Sequence, residues 1–293
     1  MASTTPAIGR AYRCLRALSA PMLVGVSVDE LASMVEPGDL VAVPPDYSGV
    51  SMAATRALLS ARIGPIQLLA VPTSGMQADL LVGAGLVSEL EAAAVTLGEL
   101  GTAPRFAAAL QQGALRMRDS TCPAVHAALQ ASEKGVPFLL LRGLLGSDLL
   151  EQRSDWKTVD NPFAPADPIV LLPAIRPDVA LFHAPLADVA GNVWVGRRRE
   201  LVTMAHASRR TLVTVEEIVD GSLLEDESLA AGVIPSLYVA AVASAPRGAW
   251  PLGLPGGYEA DQAELARYAD EARTEDGFRS YLERLLQSTA AAS

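Results

Sequence analysis

Six stretches of the sequence carry residue types that can do chemistry. Thr73-Ser74-Gly75 is a small polar turn between an apolar run and a helix-forming one. Hydroxyls and amides at a helix start favour an anion or a carbonyl oxygen. The same residues also make an ordinary N-cap. Glu99 follows an apolar run and precedes a second helix start, where it can act on a substrate, cap the helix or pair with Arg105. Cys122 stands before Pro123 at a helix start, a position that suits a nucleophilic thiol, although an inert structural cysteine fits the same pattern. His183 ends an apolar run and is followed by Asp188 and Asn192. These three can bind a substrate, or the Asp and Asn can shape a turn through bonds to the backbone. Arg197-Arg198-Arg199 can meet phosphates or an acidic partner. At a helix N-terminus this run would oppose the dipole. Glu216-Glu217 ends another apolar run and offers acid–base chemistry or a structural pairing with arginine.

Whatever positions these residues must be built mostly from Ala, Val and Leu. Half of the 293 residues are hydrophobic, but only 5% are aromatic. With 33 acidic and 23 basic residues the formal charge is −10. An acidic chain without a long basic stripe argues against nucleic acid and against anionic membrane surfaces. The two cysteines, Cys14 and Cys122, are far apart. The three histidines show no metal-ligand spacing, so no structural metal is expected. The apolar runs are too short to span a membrane, and no secretory leader is evident. The expectation is a reduced, cytoplasmic protein.

The elements alternate. Asp39–Val43 reads as a strand, 44–49 as a proline-stiffened loop and Ser51–Arg62 as a helix. Ile66–Val71 is the next strand, followed by the polar turn and a helix over Met76–Gly83. Val87–Val95, Leu115–Arg118, Pro137–Leu141, Ile169–Leu172, Val179–His183, Val193–Val195, Thr211–Val219 and Ser236–Val242 read as further strands. Helices are expected at Val28–Glu36 (with Ser27 as N-cap), Pro104–Gly113, Thr121–Lys134, Glu200–Ser208, Ala260–Thr274 and Gly277–Gln287. Strand–loop–helix repetition predicts a mainly parallel sheet with helices on its faces. Residues 1–25 read as an N-terminal arm, 26–288 as a single domain and 289–293 as a frayed tail. Residues 151–167, polar and proline-flanked, are the best place for a boundary within the domain.

Seven stretches, in order, resemble the A (alpha) chain of family I coenzyme A transferases. They are Gly49–Leu59, Ser74–Gly85, Gly98-Glu-Leu-Gly-Thr-Ala-Pro-Arg-Phe106, Arg142-Gly-Leu-Leu-Gly-Ser-Asp148, His183–Asn192, Thr214-Val-Glu-Glu-Ile-Val219 and Gly256-Gly-Tyr258. The pattern is most similar to glutaconate-type transferases and to the related ring-opening hydrolase of steroid catabolism. It implies a three-layer α/β fold shared with sugar-phosphate isomerases such as ribose-5-phosphate isomerase.

The resemblance also implies an activity: moving CoA between an acyl-CoA and a carboxylic acid, with CoA as substrate and no permanently bound cofactor. In two-subunit members the nucleophilic glutamate sits in the B subunit, so a B-subunit partner and a heterodimer or heterotetramer are expected. The equivalent turn here is Thr73-Ser74-Gly75, which has no carboxylate. The glutamate that the hydrolase carries in its alpha chain aligns with Cys122, and the family's glycine-rich first loop is replaced by Pro44-Pro45-Asp46-Tyr47. Glu99 and Cys122 are therefore the catalytic candidates on this chain. Asp46, Ser48, Gly49, Thr73, Ser74, Gly75, Met76 and Asn192 are the expected substrate-binding residues. Two alternative readings are a hydrolase or lyase of a cyclic or branched acyl-CoA, and a homologue that serves as a non-catalytic partner.

Overall fold

A computed structural model of the chain describes residues 22–290. The strands, in chain order, are β1 (Leu23–Val26), β2 (Leu40–Val43), β3 (Ile66–Ala70), β4 (Thr73–Ser74), β5 (Val87–Ala92), β6 (Ala94–Val95), β7 (Arg116–Asp119), β8 (Phe138–Leu141), β9 (Lys157–Asp160), β10 (Pro168–Pro173), β11 (Val179–Asp188), β12 (Val193–Trp194), β13 (Arg210–Val219), β14 (Val233–Ile234) and β15 (Ala241–Ser244). The helices are α1 (Val28–Ala32), α2 (Met52–Ala61), α3 (Met76–Gly83), α4 (Pro104–Gln111), α5 (Cys122–Glu133), α6 (Leu149–Gln152), α7 (Arg199–Ala207), α8 (Gln262–Glu271) and α9 (Glu275–Ala290).

The main sheet runs β1-β15-β13-β11-β2-β3-β5-β7, with every neighbouring pair parallel. Strand alternation sorts its side chains into two layers. Val41, Val43, Leu68, Ala70 and Leu212 face one core, where α1–α4, α8 and α9 pack. Ala42, Leu69, Val71, Val213 and Val215 face the other, against α5 and α7. A parallel sheet covered on both faces reads as continuous apolar strands, as these do. The three-layer α/β expectation therefore holds.

The helices begin where the sequence supplies caps. Ser27 accepts from the Glu30 amide while Glu30 reaches back to the Ser27 amide, a capping box for α1. Ser51, Thr121 and Asp261 cap α2, α5 and α8 in the same sense. Buried Asp79 on α3 accepts from the Phe106 amide (2.6 Å) and the Tyr268 hydroxyl (2.7 Å), tying α3 to α4 and α8.

Three places differ from the sequence reading. The end of the arm, residues 23–25, belongs to the edge strand Leu23–Val26, which pairs with β15. Residues 1–21, with Cys14, and residues 291–293 lie outside the described residues. Residues 151–167 are not a free linker: β9 pairs with β10, and β8-β10-β9 form a small antiparallel sheet. Ser236–Val242 splits into a 3₁₀ turn at Ser236–Tyr238, whose Ser236 amide donates to Asn192 Oδ1 (2.9 Å), and β15. Among the described residues no helix is long and apolar enough to cross a membrane.

Arg153 anchors residues 151–167 to the main sheet. It is 5% exposed and donates to Glu91 (2.9 Å), to the Asp119 carbonyl (2.8 Å) and to Asp155 (3.0 Å). Its guanidinium also stacks 4.2 Å from the Trp156 ring centroid. Arg153→Ala leaves the buried Glu91 with Arg118 (3.4 Å) as its remaining cation and is expected to lower unfolding free energy by about 1–3 kcal/mol. Urea denaturation reads this directly, and a change under about 1 kcal/mol would mean the segment is only loosely held.

Candidate active site

The order of the sheet fixes where a ligand can sit. From β2 the chain builds outward through β3, β5 and β7, and from β11 it builds the other way through β13 and β15. The two halves meet at β2 and β11, which pair only at Val41/Val179 and Ala42/Ala180. Beyond that point the carboxyl ends diverge, and a crevice at such a switch point is the usual binding site of an open α/β sheet.

Two cavities open there. The larger, about 1110 Å³, is bounded by residues 45–47, 73–75 and 96–100, Arg198 and the loop 252–260. The smaller, about 420 Å³, lies beside it against Ser48, Gly49, His183, Trp194, Arg197 and Leu201. Arg198, Leu254 and Pro255 belong to both walls.

The loop after β2 is locked in place by two close approaches. Gly49 adopts φ +80°, its carbonyl accepts from the His183 amide (2.7 Å), and a Cβ there would overlap the His183 carbonyl. Asp46, half-buried, reaches across to α3. Its Oδ1 accepts from the Gly75 amide (3.1 Å) and its Oδ2 from the Met76 amide (3.0 Å). Gly75 must be glycine, since a Cβ would fall on the Asp46 carboxylate and the Thr96 carbonyl. The α3 N-terminus, read from sequence as either an anion or carbonyl site or an ordinary N-cap, already holds a carboxylate from its own chain. Burial pushes the Asp46 carboxyl up to about 6, the two amides oppose this, and the charge of Asp79 adds to it.

The other wall rests on Glu216. Its Oε1 accepts from His183 Nε2 (2.7 Å) and the Tyr258 hydroxyl (3.0 Å), and its Oε2 accepts from the Arg247 amide (2.7 Å). The Tyr258 oxygen in turn accepts from the Ala249 amide (3.0 Å). Beneath it, His183 Nδ1 meets Thr214 Oγ1 (2.8 Å), and Thr214 meets Ser51 Oγ (2.7 Å). One set of protons satisfies the whole chain: Ser51 donates to Thr214, Thr214 to His183 Nδ1, and Nε2–H to Glu216. Burial opposes the charge on Glu216, but the bonds from His183, Arg247 and Tyr258 hold its carboxyl below the usual range. One carboxylate therefore pins both ends of the 247–258 wall.

Of the expected site residues, Asp46, Thr73, Ser74, Gly75 and Glu99 line the larger cavity, while Ser48 and Gly49 line the smaller. Ser74 is 2% exposed, and its hydroxyl has no hydrogen-bond partner among the described residues. Glu99 is exposed, on a 3₁₀ turn at Gly98–Leu100. The buried Ser48 hydroxyl is given to Glu200. Met76 is fully buried in the core and offers only its amide, to Asp46.

Two expected residues fall elsewhere. Asn192 is buried and lines neither cavity. Its Nδ2 donates to Asp188 (2.8 Å) and its Oδ1 accepts from Ser236, while Asp188 also accepts from the amides of Ala190, Asn192 and Leu223. This pair builds the turn after β11. Cys122 is an exposed first residue of α5 and also lines neither cavity. Burial pushes His126 down, against the opposing charge of Glu200.

The sequence reading missed the wall 252–260 and Tyr47. Its signal was the density of Gly and Pro from Pro251 to Gly257, directly after the last strand. Among the described residues no group of three or more His, Cys, Asp or Glu is placed to hold a metal ion.

This architecture has known counterparts. Residues 26–245 match the family model described as coenzyme A transferase. The chain is 29% identical over 262 residues to the alpha-type chain of the 3-oxoadipate CoA-transferase of Pseudomonas knackmussii, covering 87% of this chain and 90% of that one. It is 29% identical over 250 residues to the cholesterol ring-cleaving hydrolase IpdA subunit of Mycobacterium tuberculosis, covering 82% and 85%. It spans 48% of the length of an uncharacterised Archaeoglobus fulgidus protein that is 32% identical over 219 residues, or 74% of this chain. The glutaconate coenzyme A-transferase structure from Acidaminococcus fermentans superposes with a TM-score of 0.81 at 25% identity, covering 90% of this chain and 89% of that one. The chain belongs to the coenzyme A transferase family, on the alpha side of its two-subunit members.

Two outcomes follow from the geometry. A carboxyl raised from 3.8 to about 6 binds its proton more tightly in the folded chain than in the unfolded one. Its contribution favours folding at low pH and is lost as pH climbs through that window. Relative to Asp46→Asn, which has no such proton, wild type should lose up to about 3 kcal/mol between about pH 4 and pH 7. Urea titrations at both pH values test this, and a constant gap contradicts it. Glu216→Ala leaves the buried His183 Nε2–H without its acceptor and frees the Tyr258 hydroxyl and the Arg247 amide, at about 1–3 kcal/mol. Hydrogen exchange should accelerate selectively at residues 247–258, and uniform protection would show that Glu216 does not hold that wall.

Proposed function

We propose that this chain is the alpha component of an enzyme that moves CoA between an acyl-CoA and a carboxylic acid, and that the attacking glutamate comes from a partner B subunit. The observation that carries this reading is the larger cavity at the switch point. Ser74, whose buried hydroxyl has no hydrogen-bond partner among the described residues, is one of its lining residues, and its one inner carboxylate, Asp46, is tied to two amides of α3. Its other acids, Glu99 and Glu259, are exposed. Such a wall can orient a thioester but does not itself present a free nucleophile.

In the proposed cycle the partner's glutamate attacks the acyl carbonyl and expels CoA thiolate, leaving an acyl–glutamyl anhydride; the thiolate then attacks the glutamyl carbonyl, which frees the first acid as its carboxylate and forms the glutamyl–CoA thioester. The acceptor acid then takes the CoA. Charge builds on the thioester oxygen during attack, and the Ser74 hydroxyl is the donor that this chain offers there. Thr73 stands beside it on the same wall. The family names of the relatives support CoA transfer, and their subunit names support a partner. The hydrolase reading has one observation in its favour: Asp46, with a carboxyl near neutrality inside the cavity, is an acid–base group on this chain.

The test is CoA transfer from an acyl-CoA to an added acid, by the purified chain alone and co-purified with the product of the adjoining gene. The chain alone should be inactive and the pair active, with Ser74→Ala lowering kcat about 10- to 100-fold in the pair. Thioester loss to water without transfer would replace the transferase reading by the hydrolase one.

A further inference from the structure

Exposed apolar side chains gather around the turn after β11. Val189 lies in that turn and is 56% exposed. The Leu223 amide donates to Asp188 (3.0 Å), which sets Leu224, 47% exposed, beside it. The Ser236 amide donates to Asn192, which brings up Leu237, 69% exposed. A contiguous apolar patch of this kind marks a place where another group docks. Three side chains fall well short of the ~20–30 residues a side of a stable subunit interface. The patch fits a short segment better than a whole subunit.

The chain itself leads onto the patch. Met22 lays its thioether against Gly191 in the same turn, at φ +81°, where a Cβ would overlap the sulfur. Residues 10–18, just upstream, lie outside the described residues, and their sequence is amphipathic. Ala11, Leu15, Leu18 and Met22 recur at intervals of four, three and four, the period of one helical face. At ~100° per residue, Arg10 and Arg16 flank that stripe on opposite sides. A helix over residues 10–18 would be about 14 Å long, the scale of three neighbouring side chains. The four-residue step from Leu18 to Met22 spans at most about 14 Å, so the stripe is never far from the patch.

The charge around the patch is of the opposite sign to that of the segment. Asp220, Glu225, Asp226 and Glu227 are exposed on the loop that carries Leu224. None of them is bridged to a cation among the described residues. By contrast, Glu91, Asp39 and Glu271 each have an arginine.

We propose that residues 10–18 of this same chain dock on Val189, Leu224 and Leu237, with Arg10 and Arg16 paired to the acidic loop 220–227. The tether decides between this segment and the same segment of a second copy. Residues 19–21 are the only link to Met22, and so short a link gives an effective concentration of millimolar order, which a second copy does not reach. The inference does not depend on the CoA-transfer reading, since the patch lines neither cavity.

The experiment uses the native Cys14, which lies at the edge of the apolar stripe, in the full chain carrying Cys122→Ser. A short bis-maleimide is added to this chain with Leu237→Cys or, as a control, with Arg116→Cys on β7, at the opposite edge of the main sheet from β1. Intact-mass and peptide mass spectrometry locate the link. Cys14 should join the thiol introduced by Leu237→Cys within one chain, at least about 10-fold faster than that introduced by Arg116→Cys. Arg10→Glu with Arg16→Glu should slow this about 3- to 10-fold, and adding Glu225→Lys and Glu227→Lys should restore it. Equal rates at the two positions overturn the assignment. So does a link that doubles the mass, which would give the patch to a second copy. A rate unchanged by the charge reversal removes the acidic loop from the contact and overturns it as well.

Discussion

Strands β2 and β11 pair over two residues and then part, and the site depends on that separation. Each strand is buried on both faces, so neither can shift without exposing a core. The polypeptide leaving β2 must therefore cross the gap, and it does so by bonding the Gly49 carbonyl to the His183 amide and the Asp46 carboxylate to the start of α3. The walls of both cavities are consequences of how this gap is bridged.

The electrostatics follow the same logic. Carboxylates near the crevice are committed to holding backbone: Asp46 to α3, Asp188 to the turn after β11, and Glu216 to the 247–258 wall. Each satisfies amides that would otherwise be stranded in a poorly solvated place. Among the described residues the buried Ser74 hydroxyl has no hydrogen-bond partner and Arg198 has no ion pair.

Much of the fold was legible because it is local. Apolar runs of strand length alternate with capped helices, and Ser27, Ser51 and Thr121 mark helix starts by residue type alone. The turn role of Asp188 was legible too, since its partners lie within four residues apart from Leu223. The site was less so. Asp46 and Gly75 are 29 residues apart, and Glu216 and Tyr258 are 42 apart, so neither pairing leaves a periodic trace. Asn192 and Cys122 had suitable chemistry and suitable neighbours in sequence, but burial directs one into a turn and exposure leaves the other outside both cavities. The small antiparallel sheet escaped notice because Lys157–Asp160 is exposed throughout and carries no apolar alternation.

This chain forms, on the reading proposed above, one wall of a CoA-transfer site whose nucleophile belongs to its partner. The most direct measurement is mass spectrometry of both co-purified chains after incubation with an acyl-CoA and trapping with borohydride or hydroxylamine. The expected result is a modified glutamate on the partner and no modification of this chain. An adduct on this chain, at Asp46, Glu99 or Cys122, would contradict it.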